Sequence, residues 1–145
     1  MGRPGFGRCA RRAAGLGLVV LILGLAACGG EEPKPICAAQ DALRGALRAV
    51  DLAQAADGSG DQAAVGRQMD EVERLLRVAR SNVAAAAADP STDATARGML
   101  EAANYLDFMV GDYRASGRVD FAMTQFASRE LNRAVSGAGG TPLSC

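Results

Sequence analysis

The feature that most constrains the fold is an apolar repeat in the middle of the chain. Its members, spaced alternately four and three residues apart, are Val65, Met69, Val72, Leu76, Ala79, Val83 and Ala86. This spacing places all of these side chains on one stripe of an α-helix, whereas the side chains of a β-strand alternate between two faces. Such a stripe has to be covered by other helices, so we predict an all-α protein whose helices pack side by side.

Three other segments also show the helical spacing of apolar residues. The predicted helices span residues 36–56, 62–88, 92–115 and 118–136. Turn-forming residues separate them, namely Gly58, Pro90 and Gly117. Short turns make consecutive helices antiparallel, so the predicted fold is a small antiparallel four-helix bundle formed by residues 36–145.

The fourth predicted helix has the least regular pattern. The residues that we expect it to bury are Val119, Ala122, Met123, Phe126, Leu131 and Val135. Their spacing departs from the steps of three and four that a single helical stripe requires. The sequence therefore leaves the rotational setting of this helix open.

Residues 1–27 have the three parts of a secretory signal peptide. Four arginines and no acidic residue precede an uncharged run over residues 13–27, which ends in small side chains. The run contains glycines and is shorter than the ~20 residues that a membrane-spanning helix needs. A cleaved signal peptide is therefore favoured over a permanent transmembrane anchor. General secretion is favoured over the twin-arginine route, because residues 13–16 fit the twin-arginine motif poorly.

The end of the uncharged run carries a motif around Cys28. Leu25, Ala26, Ala27 and Cys28 resemble the lipobox of bacterial lipoprotein precursors, and the resemblance covers residues 1–29. It implies that the Cys28 sulfur receives a diacylglyceryl group and that the chain is cut between Ala27 and Cys28. It also implies that the mature protein is held on the extracytoplasmic face of the cell membrane. In the alternative, Cys28 is an ordinary apolar residue that ends an ordinary leader.

Residues 28–35 connect this motif to the first predicted helix. They contain two glycines, two prolines and a cluster of charges without apolar periodicity, which is typical of a flexible, solvated tether. The residues after Cys28 reach at most ~23 Å at ~3.3 Å each. We therefore expect the helical domain to lie close to the bilayer surface.

Two cysteines bracket the helical domain. Cys9 leaves with the signal peptide and Cys28 carries the lipid, so Cys37 and Cys145 remain. Because the compartment outside the membrane is oxidising, we predict a disulfide between them; free thiols and an intermolecular bridge are the alternatives. The Cα atoms of a disulfide lie within ~7 Å of each other. This favours an even number of helices, since an odd number leaves the chain termini at opposite ends of the bundle.

The composition argues against several classes of function. The chain contains no histidine, which removes the most common general base and the usual Cys/His zinc site. The signal peptide contains four of the sixteen basic residues and none of the sixteen acidic ones, so the mature chain has a net charge of −4. We therefore expect no enzymatic activity, no metal, no cofactor beyond the covalent lipid on Cys28, and no nucleic-acid binding.

The second predicted helix has a charged face opposite its apolar stripe. Asp70 with Arg74, and Glu73 with Arg77, are acid–base pairs at helical spacing. A solvated, ion-paired surface is favoured here over a site for phosphate or polyanions.

Aromatic residues indicate a candidate docking surface on the third predicted helix. We expect Tyr105, Phe108 and Met109 to form an apolar patch, and Phe121 falls near the same turn. Exposed apolar patches often bind other proteins, although scattered surface aromatics without a role are the alternative. The favoured function is an interaction or scaffold module that binds another envelope protein. A carrier of a small apolar or lipidic ligand between the helices is the alternative, and a carboxylate-based enzyme is least favoured.

Replacing Cys28 by Ser tests the predicted anchor. The variant has no thiol to acylate, so we expect it to lose both the incorporation of labelled palmitate and the cut before residue 28. Cys9→Ser in the same leader is the matched control, and it should mature as the wild type does. A Cys28→Ser chain that is still cut at the same point and still fractionates with membranes would contradict lipid anchoring.

Overall fold

The helices of this chain pair into two antiparallel hairpins that pack together as one bundle. The computed structural model describes residues 34–137 and 143–145. Its helices are α1 (Pro35–Gly58), α2 (Gln62–Ala86), α3 (Asp93–Ser116) and α4 (Ala122–Val135). α1 packs mainly against α2 and α3 mainly against α4, and the contact of α2 with α3 joins the two hairpins. The predicted all-α four-helix bundle is confirmed.

The segment before α1 carries several of the predictions made above. The signal peptide, the cleavage flank Leu25–Ala27, the lipidation site Cys28 and the tether up to residue 33 lie outside the described residues. Within the described part, α1 begins one residue earlier than predicted, at Pro35. Proline is well suited to the first helical turn, because the N–H that it lacks has no partner within the helix at that position.

Six helix boundaries differ from the prediction by one or two residues, and the start of α4 differs by four. α4 was expected from residue 118 but begins at Ala122. Gly117 ends α3 in the left-handed conformation, with φ at 70°. The Asp120 carboxylate then accepts a hydrogen bond from the Ala122 backbone N–H at 3.0 Å. This local bond competes with helix over residues 118–120 and sets the later start.

The apolar repeat forms the central strip of the core. Every member of the predicted α2 stripe is buried, as expected. α1 presents Ile36, Leu43 and Val50 with a row of alanines beside them, and all of these side chains are buried. Nearly half of the buried apolar residues are alanine. The small side chains let the helices approach closely, so the backbones of neighbouring helices lie a short distance apart.

α4 matches the predicted burial only in part. Leu131 is buried and Met123 and Val135 are partly buried against the core, as expected, whereas Ala122 is exposed. The buried residues of α4 are Ala127, Leu131 and Ala134. Phe126, which was expected to be buried, is 42% exposed, so that part of the prediction is wrong. Two helical turns further along α4, a Cβ atom built on Gly98 of α3 would lie 2.8 Å from the Ala134 Cβ atom. α3 and α4 therefore pack closely at this point.

A disulfide joins Cys37 in the first turns of α1 to Cys145, with a Cα–Cα distance of 5.6 Å across 108 positions of the chain. The predicted pairing is therefore present. The Leu143 backbone N–H also donates a hydrogen bond to the Val135 carbonyl at 3.0 Å, and the Leu143 side chain packs against the core. The chain returns to the end where α1 begins, as an even number of antiparallel helices requires.

Ion pairs connect the two hairpins across α2 and α3. Arg114 of α3 bonds to Asp70 and Glu73 of α2, and Arg80 of α2 lies 3.2 Å from the Asp107 carboxylate of α3. The predicted Asp70–Arg74 pair is wrong, because Asp70 has the Arg114 guanidinium as its partner. The predicted Glu73–Arg77 pair is present at 2.8 Å.

A substitution at Gly98 tests the close packing of α3 against α4. Gly98→Ala gains helix propensity but places a methyl group on Ala134, so we expect the free energy of unfolding to fall by about 1–3 kcal/mol. Gly111→Ala on the same helix is the matched control, because a Cβ atom there meets nothing within 4 Å. It should raise the free energy of unfolding by about 0.5–1 kcal/mol. Urea denaturation measures both, and equal stabilisation by the two variants would contradict the close approach.

The double variant Cys37→Ser/Cys145→Ser tests the contribution of the disulfide. Opening a loop of this length should lower the free energy of unfolding by about 2–5 kcal/mol, mainly because the unfolded chain gains conformational freedom. Urea denaturation with and without a reducing agent measures this. Reduction should bring the wild type to the level of the double variant and leave the double variant unchanged. A double variant as stable as the oxidised wild type would show that the bond contributes nothing.

Candidate partner-docking surface

Three aromatic side chains lie next to one another on the outside of the second hairpin. Tyr105 and Phe108 are on α3, one helical turn apart, and Phe126 is on α4. Their exposed fractions are 37%, 65% and 42%. The Tyr105 and Phe126 rings stack with their centroids 5.7 Å apart and an interplanar angle of 26°. We call Tyr105, Phe108 and Phe126 the aromatic surface; the ring pair bridges α3 and α4.

Met109, the third residue of the predicted patch, does not belong to this surface. It is completely buried, because one further residue along the helix turns its side chain by about 100° from Phe108 into the core. The Thr124 hydroxyl of α4 approaches its sulfur at 3.9 Å. Its placement in the patch was therefore wrong, and Met109 instead packs beneath the surface.

Phe126 is the surface residue that sequence analysis missed. A large apolar side chain in an amphipathic helix is normally assigned to the core. The signal that identifies it as exposed is the spacing of Ala127, Leu131 and Ala134, which steps by four and three as the α2 stripe does. Phe126 lies at the edge of that stripe. Phe121, which the sequence placed near the same turn, is only half-buried and packs against the core.

The described residues include no fully buried aromatic side chain. All the aromatic residues of this part of the chain lie between Tyr105 and Phe126, and Tyr113 and Phe121 are partly buried while the other three are exposed. The core is made of aliphatic side chains and methionine instead. Three of the five aromatic side chains of this part of the chain are therefore exposed, and none is needed to fill the centre of the core.

A groove of about 440 Å³ runs along the aromatic surface. It is lined by Glu101, Asn104, Tyr105, Phe108 and Met123. Glu101 lies one helical turn before Tyr105 and supplies the charged group of the lining. Asn104 accepts a hydrogen bond from the Arg80 guanidinium at 3.1 Å, which orients its amide at the α2 side. The groove thus combines apolar walls with one carboxylate.

Arg129 lies on the α4 side of the aromatic surface. Its guanidinium carbon is 4.8 Å from the centroid of the Phe126 ring, a cation–π contact. Its Nε–H also donates a hydrogen bond to the Gln125 carbonyl at 3.3 Å. The positive charge of Arg129 is thereby directed at one ring of the surface.

The charged residues of α2 and α3 that were described above form an ion-paired surface. The hydrogen bond from Arg114 holds the pKa of Glu73 below its ordinary value of 4.5, and the hydrogen bond from Arg74 does the same for the pKa of Glu71. Carboxyls of this kind carry their negative charge at neutral pH and are poor general acids. The arrangement fits the predicted solvated face and holds the two hairpins together.

Neither a metal site nor a membrane-spanning helix is present among residues 34–137 and 143–145. In these residues no group of three or more His, Cys, Asp or Glu side chains could hold a metal ion. None of the described helices is long and apolar enough to cross a membrane.

Comparison with known proteins adds no relative. No protein-family model, no curated protein and no solved structure matches this chain.

Proposed function

We propose that the protein is a lipid-anchored extracytoplasmic module that binds another envelope protein through the aromatic surface. The observation that carries this proposal is the exposure of Phe108, which leaves about two thirds of its side chain in water. Burying a phenylalanine side chain contributes about 1.5–3 kcal/mol. A partner that covers Phe108 gains the share of this free energy that belongs to the exposed two thirds of the side chain.

The composition of the surface supports a protein partner. Aromatic residues, Met and Arg are enriched at protein interfaces, and a few aromatic or arginine side chains commonly carry most of the binding energy. Tyr105, Phe108 and Phe126 lie here with Met123 and Arg129 beside them. Aliphatic side chains and methionine fill the core, so the three exposed rings are not needed for its packing.

The anchor rests on the resemblance of Leu25–Cys28 to a lipobox. The Cys37–Cys145 disulfide supports an oxidising compartment outside the cytoplasm, where such bonds persist.

α3 starts at the same end of the bundle as α1, and Phe108 follows its first residue, Asp93, by about 22 Å at ~1.5 Å per residue. The aromatic surface is therefore set away from the tethered end, which favours a protein partner over the lipid bilayer.

The groove favours a second candidate function, a carrier of a small apolar or lipidic ligand. Its volume of about 440 Å³ falls in the range of small-molecule sites. This candidate ranks second because the groove lies on the outside of α3 and α4, whereas a carrier of this kind would hold its ligand between the helices. We propose no catalytic role for the domain.

Photo-crosslinking in intact cells tests the proposed docking surface. Benzoylphenylalanine in place of Phe108 should give one discrete adduct with another envelope protein, which mass spectrometry identifies. Benzoylphenylalanine in place of Leu52 is the matched control, because Leu52 is 58% exposed on α1, outside the aromatic surface. It should give no such adduct. The Phe108 adduct should also disappear when Phe126→Ser is added.

Two results would contradict the proposal. Equal adducts at Phe108 and Leu52, or none at Phe108, would remove the aromatic surface as the docking site. A small molecule retained by the wild type in native mass spectrometry, and lost in Phe108→Ser, would favour the carrier function instead.

A further inference from the structure

We infer that the partner of the aromatic surface is a short protein segment that presents a Lys or Arg side chain next to an aliphatic one. The inference rests on the proposed docking function and names the chemistry of its partner. Three features of the surface lead to it: an unpaired carboxylate, an uncovered ring, and the small area of the patch.

The carboxylate is that of Glu101 in the groove lining. Within the described ranges 34–137 and 143–145, Glu101 makes no ion pair. Its acidic neighbour on α3, Asp107, has Arg80 as a partner. A negative charge beside apolar walls is best matched by a partner cation, and charge complementarity of this kind sets the specificity of an interface.

The uncovered ring is that of Phe108. The face of an aromatic ring attracts cations, and Arg129 over Phe126 is an example within this domain. In the part of the chain that the structure describes, no ring or cation is stacked on Phe108. Phe108 and Glu101 line the same groove, so both groups favour a Lys or Arg side chain at this position. The Met123 and Tyr105 walls favour an aliphatic neighbour.

The area of the patch indicates the size of the partner. At about 200 Å² for a full aromatic side chain, the exposed parts of the three rings amount to about 300 Å². A stable dimer buries about 800 Å² on each partner. The aromatic surface is therefore too small for a lasting interface with a second copy of this chain, and it suits one helix or one extended segment.

Selection from a random dodecapeptide phage library tests the inference. The target is the disulfide-bonded chain from Glu32 to Cys145, which forms one compact unit with its own core. The wild type should enrich peptides in which Lys or Arg adjoins Leu, Ile, Val or Met. A synthetic consensus peptide should bind at least tenfold more weakly to Glu101→Lys in fluorescence anisotropy. Asp112→Lys, an exposed acid of α3 outside the groove lining, is the matched control and should bind as the wild type does.

The outcomes separate the inference from the proposed function. Enriched peptides that depend on Phe108 but are neutral or acidic would overturn the inference and leave the docking surface in place. If every enriched peptide bound Phe108→Ser as tightly as the wild type, both the inference and the proposed docking function would be overturned. A dimer in sedimentation that disappears in Phe108→Ser would assign the surface to a second copy and overturn the inference as well.

Discussion

The close approach of helices through small side chains is the constraint on which this structure depends. Where Gly98 meets Ala134, α3 and α4 are too near each other for any larger residue between them. α1 also carries a row of buried alanines. Alanine, larger aliphatic side chains and methionine fill the core, and the aromatic side chains lie on or near the surface. A closely packed interior without aromatic residues thus goes together with a surface that carries them.

The disulfide and the ion pairs act on different parts of the same bundle. The Cys37–Cys145 bond ties the two termini of the domain together and stabilises chiefly by restricting the unfolded chain. Arg114 with Asp70 and Glu73 links the α1–α2 hairpin to the α3–α4 hairpin at the surface. These exposed pairs contribute little each and are weakened by salt. The apolar core that all four helices share therefore carries most of the association between the hairpins.

The predictable parts of this fold are those in which a repeat continues over several turns. The α2 stripe was predicted residue by residue, and the Cys37–Cys145 pairing followed from counting the thiols of a chain that was expected to be exported. The start of α4 was not predicted, because it depends on a local hydrogen bond in which the Ala122 backbone N–H donates to the Asp120 carboxylate. The aromatic surface was predicted in part: Tyr105 and Phe108 are exposed as expected, whereas Met109 is buried and Phe126 is exposed. Phe126 was missed because the irregular apolar pattern of α4 left the rotation of that helix open.

The bond between Cys37 and Cys145 also determines how the domain carries a mechanical load. A pull on the backbone before Cys37 passes into α1 directly and, through the two sulfur atoms, into the segment that follows α4. The force is therefore shared by the first and last helices, which lie in different hairpins. A pull at this end therefore cannot peel α1 away alone, because it also loads the chain that leads back to α4.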